Sequence, residues 1–339
     1  MFYLKRFVFV NLPAFLLLFV ISACGSKNGK IDESPEVVVH RFDQELFTVD
    51  IYNFQKEASE LGQKYPKFMA LFGAKIIEIG DTNSEWFYQN LKSFTTDQAV
   101  YNIYKKTEKK YDDFSTYSVM LDAGFRKYKE YFPGSEIPEI YTYVSGFNQS
   151  VVTTEDFVGV SLEKYLGTNE SLYNELSPAF PLYERYRMNP SNLVPDIIRA
   201  WILTGSDFNE LHNNLLANMI HEGRSIYVLK KIVPELNDSI LWGFNTQKMK
   251  FCKENENRMW TYLIGEKLLF ITDRFRISQF TQEGPFTKDF SQDSPSRAAV
   301  WIGYRIVDEY MKRNKNITFE ALMSETDFQK ILTESRYNP

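Results

Sequence analysis

The chain has 339 residues, 44% of them hydrophobic and 16% aromatic, with 39 Lys plus Arg against 44 Asp plus Glu and a formal net charge of −5. This acidic balance, without a polybasic run, argues against nucleic acid and against electrostatic docking on a membrane surface. Two cysteines and three histidines (His40, His212 and His221) leave little material for a disulfide framework or for metal chemistry.

At the N-terminus, Lys5 and Arg6 precede an almost wholly apolar stretch, residues 7–23, interrupted only by Asn11, Pro13 and Ser22. A membrane-spanning helix needs ~20 apolar residues, and this segment is shorter and carries a Pro and an Asn. Ile21-Ser22-Ala23-Cys24 then offers an aliphatic residue, two small ones and a cysteine. That order resembles the bacterial lipobox, so residues 1–23 are expected to be a lipoprotein signal peptide, with Cys24 the site of lipid attachment. Cleavage there removes two cations and no acid, moving the net charge from −5 to −7. Residues 24–36 are small and polar and read as a flexible tether. The folded body is thereby placed on the non-cytoplasmic side of a membrane, inner or outer. With Cys24 lipidated, Cys252 has no intramolecular partner, and packing alone must hold the fold.

Residues 37–339 read as one large domain. From 37 to 131 the pattern is helical: Phe54, Leu61, Tyr65 and Phe68-Met69 recur at helical spacing. Further helices are expected over 84–94, through the charged run QAVYNIYKKTEKKYDDF, and over 119–131, stopping at Pro133-Gly134. Residues about 136–166 change character, with β-branched and aromatic runs either side of Gly146-Phe147-Asn148, and predict a sheet of three or four strands. Helices return over 193–203, about 208–232 and 260–273. A long one is expected from Ser294-Pro295, with Ser as cap and Pro in the first turn, to about Arg313, and a last one over 319–334. The expected class is α+β and mostly helical, with one small central sheet.

The 208–232 segment invites a chemical reading. Leu211, Leu215, Met219 and Ile226 share one side of the wheel, while Asn214, Ala217, Asn218, His221, Ser225 and Val228 share the other. The second face carries no charge of its own, which suggests a helix lining a semi-enclosed cleft. His221-Glu222 begins an H-E-x-x-H pattern, in which two histidines hold zinc and the Glu acts as general base. Here Ser225 stands where the second histidine belongs. A catalytic zinc needs three protein ligands, and His212, nine residues away, is half a wheel round. His221, Glu222, Ser225 and Arg297 are therefore read as a degenerate cleft, with no catalytic residue, metal ligand or cofactor assigned. Arg297, expected in the first turn of the long C-terminal helix, reads either as a surface arginine bonded to a carboxylate or as one aimed into the cleft.

The chain after the signal resembles the Bacteroidetes gliding-motility lipoprotein GldB family. The resemblance is carried by His40-Arg41-Phe42-Asp43-Gln44-Glu45-Leu46-Phe47, Tyr65-Pro66-x-Phe68, 140–147, VGVSLEKYLG at 158–167, Met219-Ile220, IGEKLLFITD at 264–273, Ser294-Pro295-Ser296-Arg297, Trp301-Ile302-Gly303, Tyr310-Met311 and Ser335-Arg336-Tyr337-Asn338-Pro339. Ser296 departs from the family's tendency to glycine before the arginine. The resemblance implies a zincin-like domain and a cell-envelope role in gliding motility or the associated secretion machinery, with envelope proteins as partners.

Three readings stand at this point. The first is a non-catalytic envelope component that binds a partner protein or extended peptide. The second is a zinc metallopeptidase with atypical ligands: His221, His40 and one of Glu254, Glu256 or Glu266, with Glu222 as base. The third, resting on aromatic content alone, is a carbohydrate-binding lipoprotein.

Overall fold

The computed structural model describes residues 37–339 except 177, 207 and 209–212. The expected signal peptide, the tether, Cys24, Leu211 and His212 lie outside the described residues.

The N-terminal third is helical: α1 (Phe42–Phe47), α2 (Phe54–Lys64), α3 (Pro66–Leu71), α4 (Phe87–Thr96), α5 (Gln98–Tyr111) and α6 (Ser115–Tyr131). Asp97 starts α5 by accepting from the Ala99 and Val100 amides, and a π-helical turn, Phe72–Ile76, extends α3. Four strands follow the expected change of character only in part. β2 (Glu139–Tyr143), β3 (Val151–Thr153) and β4 (Phe157–Ser161) fall inside 136–166, but β1 (Val39–His40) comes from the segment read as helical. The order is β1-β2-β4-β3, with β1, β2 and β4 parallel and β3 antiparallel on the edge. Ile140, Val158 and Val160 in the central strands are fully buried, as parallel strands covered on both faces require.

The aromatic abundance is largely spent on the cores. Phe42, Phe68, Phe72, Tyr141, Tyr143 and Phe157 share one buried cluster. Phe42 meets Phe68 edge-on at 4.9 Å, and Phe68 stacks on Tyr141 at 4.4 Å. Such pairings are favourable beyond the area they bury.

After the sheet come a 3₁₀ turn (Leu162–Tyr165), two short helices, α7 (Leu172–Glu175) and α8 (Leu182–Arg185), and α9 (Pro190–Thr204), which lies against β3 and β4. The next helix, α10, spans Leu215–Ile232. It does not begin near 208: Asn214 leaves the helical conformation, and its side chain accepts from the Ala217 amide as N-cap. Its second face is divided: Ala217, Ser225 and Val228 are buried, whereas Asn214, Asn218 and His221 are partly exposed, and Asn218 lines a cavity together with Glu222. The buried half of the face lacks charge because it packs between neighbouring helices.

Then follow α11 (Asp238–Trp242), α12 (Thr246–Gly265) and α13 (Arg274–Thr281). The helix expected over 260–273 is thus the end of α12 plus a 3₁₀ turn, Leu268–Phe270. The long C-terminal helix, α14, spans Ala298–Arg313, so Ser294 is not its cap and Pro295 is not in its first turn. Instead Ser294 and Pro295 are tied to Thr287, whose hydroxyl also accepts from the Ala298 amide. The expected terminal helix is two, α15 (Phe319–Ser324) and α16 (Phe328–Ser335).

α10 crosses α14 with the two backbones in direct contact. A Cβ on Gly303 would sit 1.8 Å from the Met219 carbonyl oxygen, and one on Gly223 would sit 2.4 Å from the Tyr304 amide nitrogen. Only two glycines let these backbones meet. That crossing fixes where α10 presents Glu222. No helix among the described residues is long and apolar enough to cross a membrane.

Candidate functional site

Glu222 projects from the middle of α10, half-buried, at the floor of a cavity of about 350 Å³ that Arg199 and Arg297 also line. Arg199 comes from α9 and donates through Nη2 to Glu222 Oε2 in a tight ion pair. Its Nε donates to Ser225 Oγ at 3.1 Å, and Ser225 in turn donates to the Glu222 carbonyl at 2.7 Å. The hydroxyl standing where the second histidine was expected is therefore committed to an arginine.

Arg297 approaches from the opposite wall. It does not sit in the first turn of α14 but just before it, in the left-handed region at φ 55°. Only 7% exposed, it is not a surface residue. Its Nη1 donates to Glu283 Oε1 at 2.8 Å, and Nη2 lies 3.5 Å from Glu222 Oε2. Ser296, just before it, donates to Glu283 Oε2 at 3.2 Å. On the other side of Glu283 is Arg187, at 3.8 Å, which also donates to Asp196 at 3.0 Å. Tyr165 completes the chain by donating to Asp196 at 3.0 Å.

Three arginines and three carboxylates thus alternate: Asp196, Arg187, Glu283, Arg297, Glu222 and Arg199. Burial by itself would push the Glu222 carboxyl up, but Arg199, and after it Arg297, override this and hold it below the usual carboxylate range. Glu283 is held low in the same way, burial being outweighed by Arg297 and Arg187. Burial pulls the Arg199 guanidinium down, with Glu222 opposing.

The expected cleft residues do not all converge. Arg199 joins Glu222 to Ser225, and Arg297 reaches the same Glu222 oxygen, whereas His221 Nδ1 accepts from Arg224 at 3.0 Å and its ring packs against Phe208 at 4.8 Å. His40 bonds Glu139 at 3.1 Å between Tyr65 and Tyr141. Glu256 is held by Arg305 and Tyr337, and Glu254 pairs with Lys250. Among the described residues no three His, Cys, Asp or Glu side chains gather as a metal-binding group. The chemistry of the cavity does not fit zinc either, since a dication beside Glu222 would face two guanidiniums across a low-dielectric wall.

Sequence reasoning missed Arg187, Asp196, Arg199 and Glu283. One signal was available: in the largely apolar PSNLVPDIIRAWILT, the only charges are Asp196 and Arg199, three apart and hence on one helix face.

A family model described as gliding motility protein GldB matches residues 25–339 of the chain. No curated protein and no solved structure matches it.

Proposed function

This chain belongs to the gliding motility protein GldB family, and from that premise we propose that it is a cell-envelope lipoprotein, anchored through Cys24, whose folded body is a non-catalytic binding component of the motility machinery. The observation that carries the non-catalytic part is the Glu222 carboxylate, held between Arg199 and Arg297. A general base in a zinc site needs a metal-bound water within reach. Here the guanidinium of Arg199 occupies the position beside Glu222 and Ser225. We read the domain as a relative of the zincins whose metal chemistry has given way to an internal ion-pair lattice. The order of sheet, then helix, supports this reading, although α9 rather than α10 lies against β3 and β4.

The anchor reading is supported by the lipobox-like Ile21-Ser22-Ala23-Cys24. The test is replacement of the chromosomal gene with a Cys24→Ala variant, followed by labelling with radioactive palmitate and scoring of spreading on agar. The expected result is loss of label and of gliding. A variant that still takes up label would overturn the anchor at Cys24, and one that glides without label would overturn the need for it.

A further inference from the structure

Lys164 follows β4 in the turn Leu162–Tyr165, between Glu163, whose Oε1 is engaged while Oε2 is buried without a partner among the described residues, and Tyr165. Glu163 accepts from the backbone amides of Ser145 and Phe147, and the Tyr165 hydroxyl donates to Asp196. Lys164 is equally interior, only 9% exposed, yet its ammonium has no hydrogen-bond acceptor among the described residues. It lies 4.3 Å from the centre of the Phe180 ring and 5.8 Å from that of Phe147. An ammonium carries three donors. Ring faces attract its charge but accept none of the three as a carboxylate would.

That ammonium lines a cavity of about 380 Å³, separate from the Glu222 cavity but sharing Arg187, Arg199 and Glu283 with it. The other two cations on its wall are spent, Arg187 on Asp196 and Glu283, and Arg199 on Glu222 and Ser225. Glu184 also lines the cavity, and its charge acts on Lys164. Val151, Phe180, Met188, Ala200 and Leu203 supply an apolar wall. Three carboxylates, Glu184, Asp196 and Glu283, share the lining, of which Asp196 and Glu283 are neutralised by Arg187, so Lys164 is the cation of the wall left without an ion pair among the described residues. An apolar wall with a few placed polar groups is the usual form of a ligand site. Burial lowers the Lys164 pKa, with Glu163 and then Glu184 opposing.

We propose that this cavity binds a carboxylate carried on an apolar residue, with Lys164 Nζ as its anchor and the Val151–Leu203 side of the cavity receiving the side chain. The chemistry is shared by the free C-terminus of a polypeptide and by a small acylated amino acid. The inference rests on the reading of the domain as a binding component and supplies the ligand class for it.

The test uses the full-length lipoprotein in nonionic detergent and a fluorescein-labelled hexapeptide ending in Val-Leu, as free acid and as C-terminal amide. Fluorescence anisotropy should show the acid binding at least about ten-fold tighter than the amide, the scale of one charge-assisted contact. Lys164→Gln should remove that preference, and Lys164→Arg should keep part of it. N-acetyl-leucine separates the sources: full competition at similar affinity points to a small acid, and weak competition to a polypeptide end. Equal binding of acid and amide, no binding of either, or a preference unchanged in Lys164→Gln would each overturn the proposal. The acid–amide contrast on the unaltered protein decides even where a variant fails to fold. Gliding scored in the same strains separates a failure of this site from a failure of the motility reading.

Discussion

Arg297, poised in a left-handed conformation ahead of α14, places Nη2 3.5 Å from Glu222 Oε2, joining residues 75 apart in the chain. Arg199 grips the same oxygen from α9. The carboxylate in the second position of the broken H-E-x-x-H pattern is therefore a node that ties three elements together.

Removing one member of a buried pair leaves the other charge stranded, which costs more than the pair contributes. Glu222→Gln should therefore destabilise the fold by about 2 kcal/mol, the half-exposure of Glu222 discounting the fully buried figure. Adding Arg199→Met should restore part of the loss. Urea unfolding of the two single variants and the double variant checks this, and strictly additive losses would show that the two residues do not interact.

Acid should act through the same node. Glu222 and Glu283 are held below the ordinary glutamate value in the folded state, so between that depressed value and the unfolded one the unfolded chain binds more protons. Their contribution is complete above pH ~4.5 and is lost as pH falls through the folded values. Melting temperatures from pH 7 to pH 3 should fall less steeply below pH ~4.5 for Glu222→Gln than for the unaltered chain. Parallel curves would remove Glu222 from the explanation.

The α10–α14 crossing has no room for a methyl group. Gly303→Ala puts a Cβ 1.8 Å from the Met219 carbonyl oxygen, backbone against backbone, with no flexible side chain to give way. The loss should reach or exceed the ~3 kcal/mol upper end of ordinary overpacking. A Gly303→Ala protein as stable as the parent would mean that the helices cross elsewhere.

Cys252 is fully buried in α12, and burial, with a smaller push from Glu256, raises its thiol to about 12. Only the thiolate reacts. In the native protein Cys252 should resist Ellman's reagent at pH 8 and react promptly in guanidinium. Rapid native labelling would contradict the packing described.

Much of the architecture was legible in the sequence, because helical spacing and β-branched runs are local signals. The sheet over 136–166 and the helices ending at Tyr131, Ile232 and Arg313 follow from them. What failed needed partners distant in the chain. β1 exists because Val39 and His40 pair with Ile140 and Tyr141, about a hundred residues on. Ser294-Pro295 looks like a helix start, but Thr287 captures both residues. In the site, the uncharged face of α10 suggested a cleft, and the structure buries Ala217, Ser225 and Val228 of it while Asn218 lines the cavity beside Glu222. The charges that matter lie on α9 and the 283–297 segment, where no spacing rule connects them to Glu222. Arg297 was singled out on its own, yet its two carboxylates could be named only in three dimensions.

The most direct test of the non-catalytic reading is the zinc content of the full-length protein, purified without chelators and measured by plasma mass spectrometry beside a His221→Ala variant. Substoichiometric zinc, the same in both proteins, is the expected result. A full equivalent of tightly held zinc, lost in His221→Ala, would contradict it.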